Sequence, residues 1–213
     1  MRKLAISTLA FFAMTGWASA HPHVFVTASV ELDRNEKGEF TTLHHHWIFD
    51  EIFSYTVIFD FDANGDGTLD EAELVEVGKT IKTNITEYDF FTSTRTGTDI
   101  APIFEPDVIK VFLKEDDTVE MRFSMNFEKP VAATSEPLKI SVSDPSFYVA
   151  FDFAEDAIEM AGTACPYTVT TPDFDTLLAD SSTFTEAFFE NPDKPELGDE
   201  FYSWIEVKCS AGS

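Results

Sequence analysis

Positive charge is scarce in this chain: 14 Lys plus Arg stand against 39 Asp plus Glu, a net charge of −25 over 213 residues. A polyanion of this kind repels nucleic-acid phosphates and anionic membrane surfaces, and it attracts cations. Cysteine is scarcer still, with only Cys165 and Cys209. Histidine occurs at His21, His23, His44, His45 and His46, and nowhere after that. Past the first twenty residues no apolar run reaches the ~18 that a membrane-crossing helix needs. Internal repeats and low-complexity tracts are absent. No nucleophile–base set stands out, because a Ser-His-Asp hydrolase would have to borrow a histidine from one of two short stretches. Phenylalanine, by contrast, is abundant at 22 residues. The acidity therefore belongs to a folded chain and not to a disordered one.

Residues 1–20 read as an export signal. Arg2 and Lys3 form a basic start, Leu4 to Ala13 is mostly apolar, and Ala18-Ser19-Ala20 is a small-residue cleavage site. The expectation is a periplasmic or secreted protein whose mature domain spans 21–213, has no membrane span and does not bind nucleic acid. Cleavage would leave His21 as the new N-terminus, with an amine and an imidazole that are both neutral donors near pH ~7.7 and above. In an exported chain the two cysteines read as one disulfide, Cys165–Cys209. It would close a loop of some forty residues, worth roughly 4 kcal/mol in the chain-entropy picture.

Hydropathy patterning predicts α+β architecture: a mostly antiparallel β-sheet or sandwich with a helix-loop-helix insert at about 50–85 and short C-terminal helices. Val24 to Asp33 and Phe40 to Phe49 alternate as strands and form a hairpin. Asp50 to Phe61 and Glu71 to Ile85 carry apolar residues at helical spacing. Strands are expected at 108–113, 118–127, 138–143, 147–153, 167–170 and 201–208. Helices are expected between Pro172 and Glu190.

The strongest local motif runs from Asp62 to Glu73. It fits a twelve-residue EF-hand calcium loop, with Asp62, Asn64 and Asp66 at positions 1, 3 and 5 and Gly67 at 6. Thr68 offers its carbonyl at position 7, Asp70 stands at 9, and Glu73 supplies two oxygens at 12. Ca²⁺ takes six to eight hard oxygens from a flexible loop, which this spacing provides. A single loop of this type is expected to act as a structural clamp.

The histidines suit a borderline-soft ion, Zn²⁺, Ni²⁺, Co²⁺ or Cu²⁺. Pro22 has no N–H, so a terminal square-planar chelate through two backbone amides is blocked. The amine and imidazole of His21 could still act together as a histidine brace, joined by His23. A hairpin register in which paired numbers sum to 73 places His23 opposite Asp50, His21 near Glu51, His46 opposite Thr27 and His44 opposite Ser29. That gives one cluster of His21, His23, Asp50 and Glu51 and a second of His44 and His46, about 13 Å apart at ~3.3 Å per residue. His45 falls on the apolar face and reads as a core histidine. A register slip of one residue would undo the scheme.

His21-Pro22-His23-Val24-Phe25-Val26, Trp47-Ile48-Phe49-Asp50-Glu51-Ile52-Phe53-Ser54, the Asp-rich loop and Tyr88-Asp89-Phe90-Phe91-Thr92 resemble the DUF1007 family of exported bacterial proteins. Some members are described as periplasmic components of uncharacterised ABC-type transport systems, and members often occur beside nickel/cobalt-type exporters. The resemblance implies a role in divalent-metal homeostasis. The expected function is a non-enzymatic periplasmic accessory protein that binds a transition metal for a membrane metal transporter, with Ca²⁺ holding the insert. The alternatives are a histidine-brace copper oxidase or oxygenase, drawing a further ligand from His44 or His46, and a Ca²⁺-stabilised structural interaction module.

Overall fold

The computed structural model describes residues 22–133, 135–160, 165–173, 176–177 and 197–209. In chain order the elements are β1 (Val24–Arg34), β2 (Phe40–Phe49), α1 (Glu51–Phe61), α2 (Glu71–Ile85), β3 (Thr92–Thr96), β4 (Asp99–Ile100), β5 (Lys110–Leu113), β6 (Val119–Val131), β7 (Leu138–Val142), β8 (Val149–Met160), β9 (Tyr167–Thr170) and β10 (Trp204–Val207). Two five-stranded sheets result, ordered β5-β6-β2-β1-β8 and β4-β3-β7-β10-β9. Pairing is antiparallel throughout except where β8 joins β1 in parallel. The α+β class read from the sequence is the one observed. The expected C-terminal helices lie mostly outside the described residues.

Strand alternation builds the core. Val24, Val26, Ala28, Val30 and Leu32 of β1 point inward with Leu43, His45, Trp47 and Phe49 of β2, and Met121, Phe123, Met125 and Phe127 of β6 continue that face. They form one apolar cluster with Leu138, Ile140, Val142, Ile205 and Val207 of the second sheet. Each fully buried side chain of this size is worth about 1.5–3 kcal/mol of transfer free energy. The disulfide forms as expected between Cys165 and Cys209, with Cα atoms 4.8 Å apart. It ties the end of β10 to the segment before β9, and the Cys209 amide donates to the Ala133 carbonyl at 2.8 Å.

The hairpin register differs from the expected one. Val26 pairs with Phe49, Ser29 with His46 and Glu31 with His44, so paired numbers sum to 75 and not 73. A two-residue slip preserves every face, because the side-chain period is two, but it changes every neighbour. The cause is the turn. In place of a two-residue Glu36-Lys37 turn, the Asn35 side-chain oxygen accepts from the amides of Lys37 and Glu39, and Gly38 adopts φ +77°. A bulge between Asp33 and Arg34 absorbs the extra residue.

The strands β3 and β4 were not predicted. β3 is Thr-Ser-Thr-Arg-Thr, which has no apolar alternation to betray it. Just before it, Asp89, Phe90 and Phe91 hold φ of +52°, +54° and +52°. Three consecutive left-handed non-glycine residues cost about 1–2 kcal/mol each. Burial of both phenylalanine rings offsets that cost.

Candidate metal centres

The helix-loop-helix is built from its caps. The Asp50 side chain accepts from the Ile52 and Phe53 amides and starts α1, while Asp70 and Glu73 form a reciprocal capping box that starts α2. Between them the loop is wound by its own carboxylates. Asp62 accepts from the amides of Gly65 (2.7 Å), Asp66 (3.1 Å) and Gly67 (2.8 Å). Those bonds, Gly67 foremost, hold its carboxyl below the usual carboxylate range. Asn64 accepts from Asp66, and Asp66 from Thr68. Glu73, 8 % exposed, reaches back across the loop to the amides of Ala63 and Asp70, both at 2.8 Å. Gly65 and Gly67 take φ of +75° and +84°, where a Cβ would be strained. Leu69 points into the core. At present the oxygens of Asp62 and Glu73 answer the loop's own N–H groups.

His44 and His46 both stand on the outer face of the first sheet, as their parity requires. His44 Nδ1 lies 2.7 Å from Ser124 Oγ, and its Nε2 lies 3.0 Å from Asp33 Oδ2. His46 Nδ1 lies 3.5 Å from Ser29 Oγ. His46 Nε2 is 3.3 Å from Glu120 Oε1, but the approach is off the hydrogen-bonding line, so this buried nitrogen has no hydrogen-bond partner among the described residues. Glu120 Oε1 instead accepts from Arg122 Nε at 2.5 Å. Both imidazoles line a cleft of about 670 Å³, walled on one side by Asp107, Val108, Lys110 and Phe112. Gly78 of α2 sets the height of that wall, since a Cβ there would run into the Ile109 carbonyl.

The carboxylates of this face were not foreseen. Glu31 pairs across from His44, and Glu159 of β8 pairs across from Glu31. The Glu31 position follows from the alternation of β1 once the register is corrected. Glu120 and Glu159 come from distant strands, and no local pattern announces them.

His45 is a core histidine, as expected, and 2 % exposed. Its ring stacks on Phe123 at 4.5 Å and meets Trp47 edge-on at 5.6 Å. The Thr92 hydroxyl donates to the Phe90 carbonyl at 2.8 Å, so it accepts from His45 Nε2 at 3.2 Å. That arrangement leaves Nδ1 bare and without a hydrogen-bond partner among the described residues. Burial first, and the His44 charge second, push the ring's pKa down to about 3.

Within the proposed N-terminal cluster, His23 and Asp50 are not paired with each other as expected. His23 lies against Tyr148, with ring centroids 5.0 Å apart, and its amide donates to the Tyr148 carbonyl at 2.9 Å. Asp50 faces Phe25 and accepts that residue's amide at 2.8 Å, which follows directly from the two-residue slip. Glu51 is exposed in the first turn of α1. His21 lies outside the described residues, and with it the brace. Among the described residues no group of three or more His, Cys, Asp or Glu side chains is drawn together closely enough to hold an ion. Metal capture at His44 and His46 would therefore turn side chains away from their present partners.

No helix among the described residues is long and apolar enough to cross a membrane, and the disulfide suits an oxidising compartment. No curated protein matches the chain. A family model described as a protein of unknown function (DUF1007) matches residues 6–209, nearly the whole sequence. The chain belongs to the DUF1007 family.

Proposed function

We propose that this protein is an exported, periplasmic metal-binding accessory protein. It carries Zn²⁺, Ni²⁺, Co²⁺ or Cu²⁺ for a membrane metal transporter, and Ca²⁺ in the 62–73 loop staples its helical insert. The carrying observation is the pair His44 and His46, next but one on β2, facing one cleft with carboxylates 3.0 and 3.3 Å from their Nε2 atoms. Imidazoles two apart on a strand share a face and lie close enough to grip one ion. The nearby carboxylates either orient the rings from behind or join as ligands. Handover favours such a site, half-exposed and not closed. No catalytic step is needed.

Calcium has a separate support. Asp62, Asn64 and Glu73 now accept from the loop's own amides, and occupancy would replace those amide partners with a divalent charge. In an environment this acidic the ion also relieves repulsion between carboxylates.

Calorimetric titration of the mature chain with Zn²⁺ and Ni²⁺, in the wild type and in a His44→Gln/His46→Gln double variant, tests the transition-metal part. Binding in the wild type and its loss in the double variant are expected. Equal binding in both would assign the metal elsewhere. For calcium, at about a hundred times Kd the expected stabilisation is roughly 2.7 kcal/mol. That raises Tm by about 5–10 °C in a chain of this length.

A further inference from the structure

Like charges face each other at both ends of the histidine cleft. At one end Glu31 of β1 pairs directly with Glu159 of β8, and Glu31 also pairs with His44. At the other end Lys110 of β5 pairs directly with Arg122 of β6, and Arg122 also pairs with His46. All six side chains line the same cleft. Directly opposed like charges destabilise a sheet. Here two such pairs, of opposite sign, are kept apart by two imidazoles.

The basic end is the less expected. Only 14 cationic residues serve the whole chain, and two of them stand together beside His46. An ammonium and a guanidinium repel a divalent cation and attract an anion, and at this end they are opposed by Asp107 and by the Glu120 that holds Arg122. Lys110 makes no ion pair among the described residues. Arg122 is steadied from two sides, by Glu120 on Nε and by the Phe112 ring 5.3 Å from its Cζ. Its two terminal nitrogens have no partner among the described residues, and that leaves the bidentate edge of the guanidinium open. The cleft is also large for an ion. At about 670 Å³ it lies in the range of small-molecule sites, roughly 300–1,000 Å³, and a water occupies only about 30 Å³.

We propose that the cleft binds a divalent transition metal together with a small polycarboxylate that chelates it. His44 and His46 take the metal, with Glu31 and Glu159 supplying negative charge at that end. Arg122 and Lys110 take the free carboxylates of the chelator at the other. The proposal rests on the metal-binding reading of His44 and His46 and deepens it by naming the cargo.

The test is equilibrium dialysis of the full mature chain with Ni²⁺ alone, radiolabelled citrate alone, and equimolar Ni²⁺–citrate, following metal and label separately. Citrate should be retained with the protein only when Ni²⁺ is present. Lys110→Gln and Arg122→Gln should each weaken citrate retention about tenfold or more while Ni²⁺ alone still binds. Lys110 is exposed and makes no ion pair among the described residues, so its variant reports on binding even if Arg122→Gln disturbs the Glu120 contact. His44→Gln/His46→Gln should abolish retention of both. Retention of Ni²⁺ without label would overturn this proposal and leave the metal-carrier reading standing. Citrate retained equally without metal, or by the double histidine variant, would overturn it in favour of a plain anion site. Absence of Ni²⁺ binding would overturn this proposal, and absence of Zn²⁺, Co²⁺ and Cu²⁺ binding as well would overturn the metal-carrier reading with it.

Discussion

His45 and its two neighbours are the same residue on the same strand, yet they live in different chemistries. His45 is 2 % exposed, packed between Phe123 and Trp47, and neutral down to about pH 3. The side chains of His44 and His46 are about one-third exposed (33 % and 36 %), beside Asp33 and Glu120, and open to a cleft. The strand pleat alone makes the difference, since alternate side chains enter opposite faces. A run of three histidines is therefore not a three-ligand motif. It is one structural residue flanked by two functional candidates.

The largest break in that contrast should come from the buried ring. His45→Ala should cost about 2–5 kcal/mol in urea unfolding, because it opens a cavity among Phe123, Trp47 and Thr92. His44→Ala and His46→Ala should each cost well under about 1 kcal/mol, as surface substitutions do. If all three cost the same, the assignment of faces is wrong.

Next in size is the pH response without metal. His45 is neutral when folded and takes up a proton near its ordinary pKa of about 6.5 when unfolded. The unfolded state therefore binds more protons between about pH 6.5 and 3, and stability must fall as pH drops through that window. The limiting slope is about 1.4 kcal/mol per pH unit. Chelator-treated wild type should show this slope between pH 6 and 5, above the carboxylate range, and His45→Phe should lose it. An unchanged slope would place the titrating group elsewhere.

Gly78→Ala should be smaller, about 1–3 kcal/mol, through the clash with Ile109. It should also shift metal affinity, because the buried Ile109 joins Val108 and Lys110, which line the cleft. Glu73→Gln removes a bidentate carboxylate from the loop. It should abolish the Ca²⁺-dependent rise in Tm while leaving transition-metal binding unchanged.

The 62–73 loop and its two helices were legible because every determinant is local. Asp50 and Asp70 cap, Gly67 turns, and Glu73 closes, all within about two dozen residues. The faces of β1 and β2 were legible for the same reason. The register was not, because it depends on how Asn35 bonds the turn amides and on where the bulge falls. That single slip moved Asp50 from His23 to Phe25. Of the carboxylates that do meet the histidines, Asp33 shares the hairpin, whereas Glu120 arrives on β6. Pairings that distant leave no trace in spacing. β3 escaped because a Thr-rich strand has no apolar stripe.

The central claim is that one transition-metal ion sits between His44 and His46. Calorimetry of the mature chain with Zn²⁺ tests it most directly, comparing wild type with His44→Gln/His46→Gln at equal folding stability. The account predicts one equivalent bound by the wild type and none at this site in the double variant. Identical isotherms for the two proteins would contradict it.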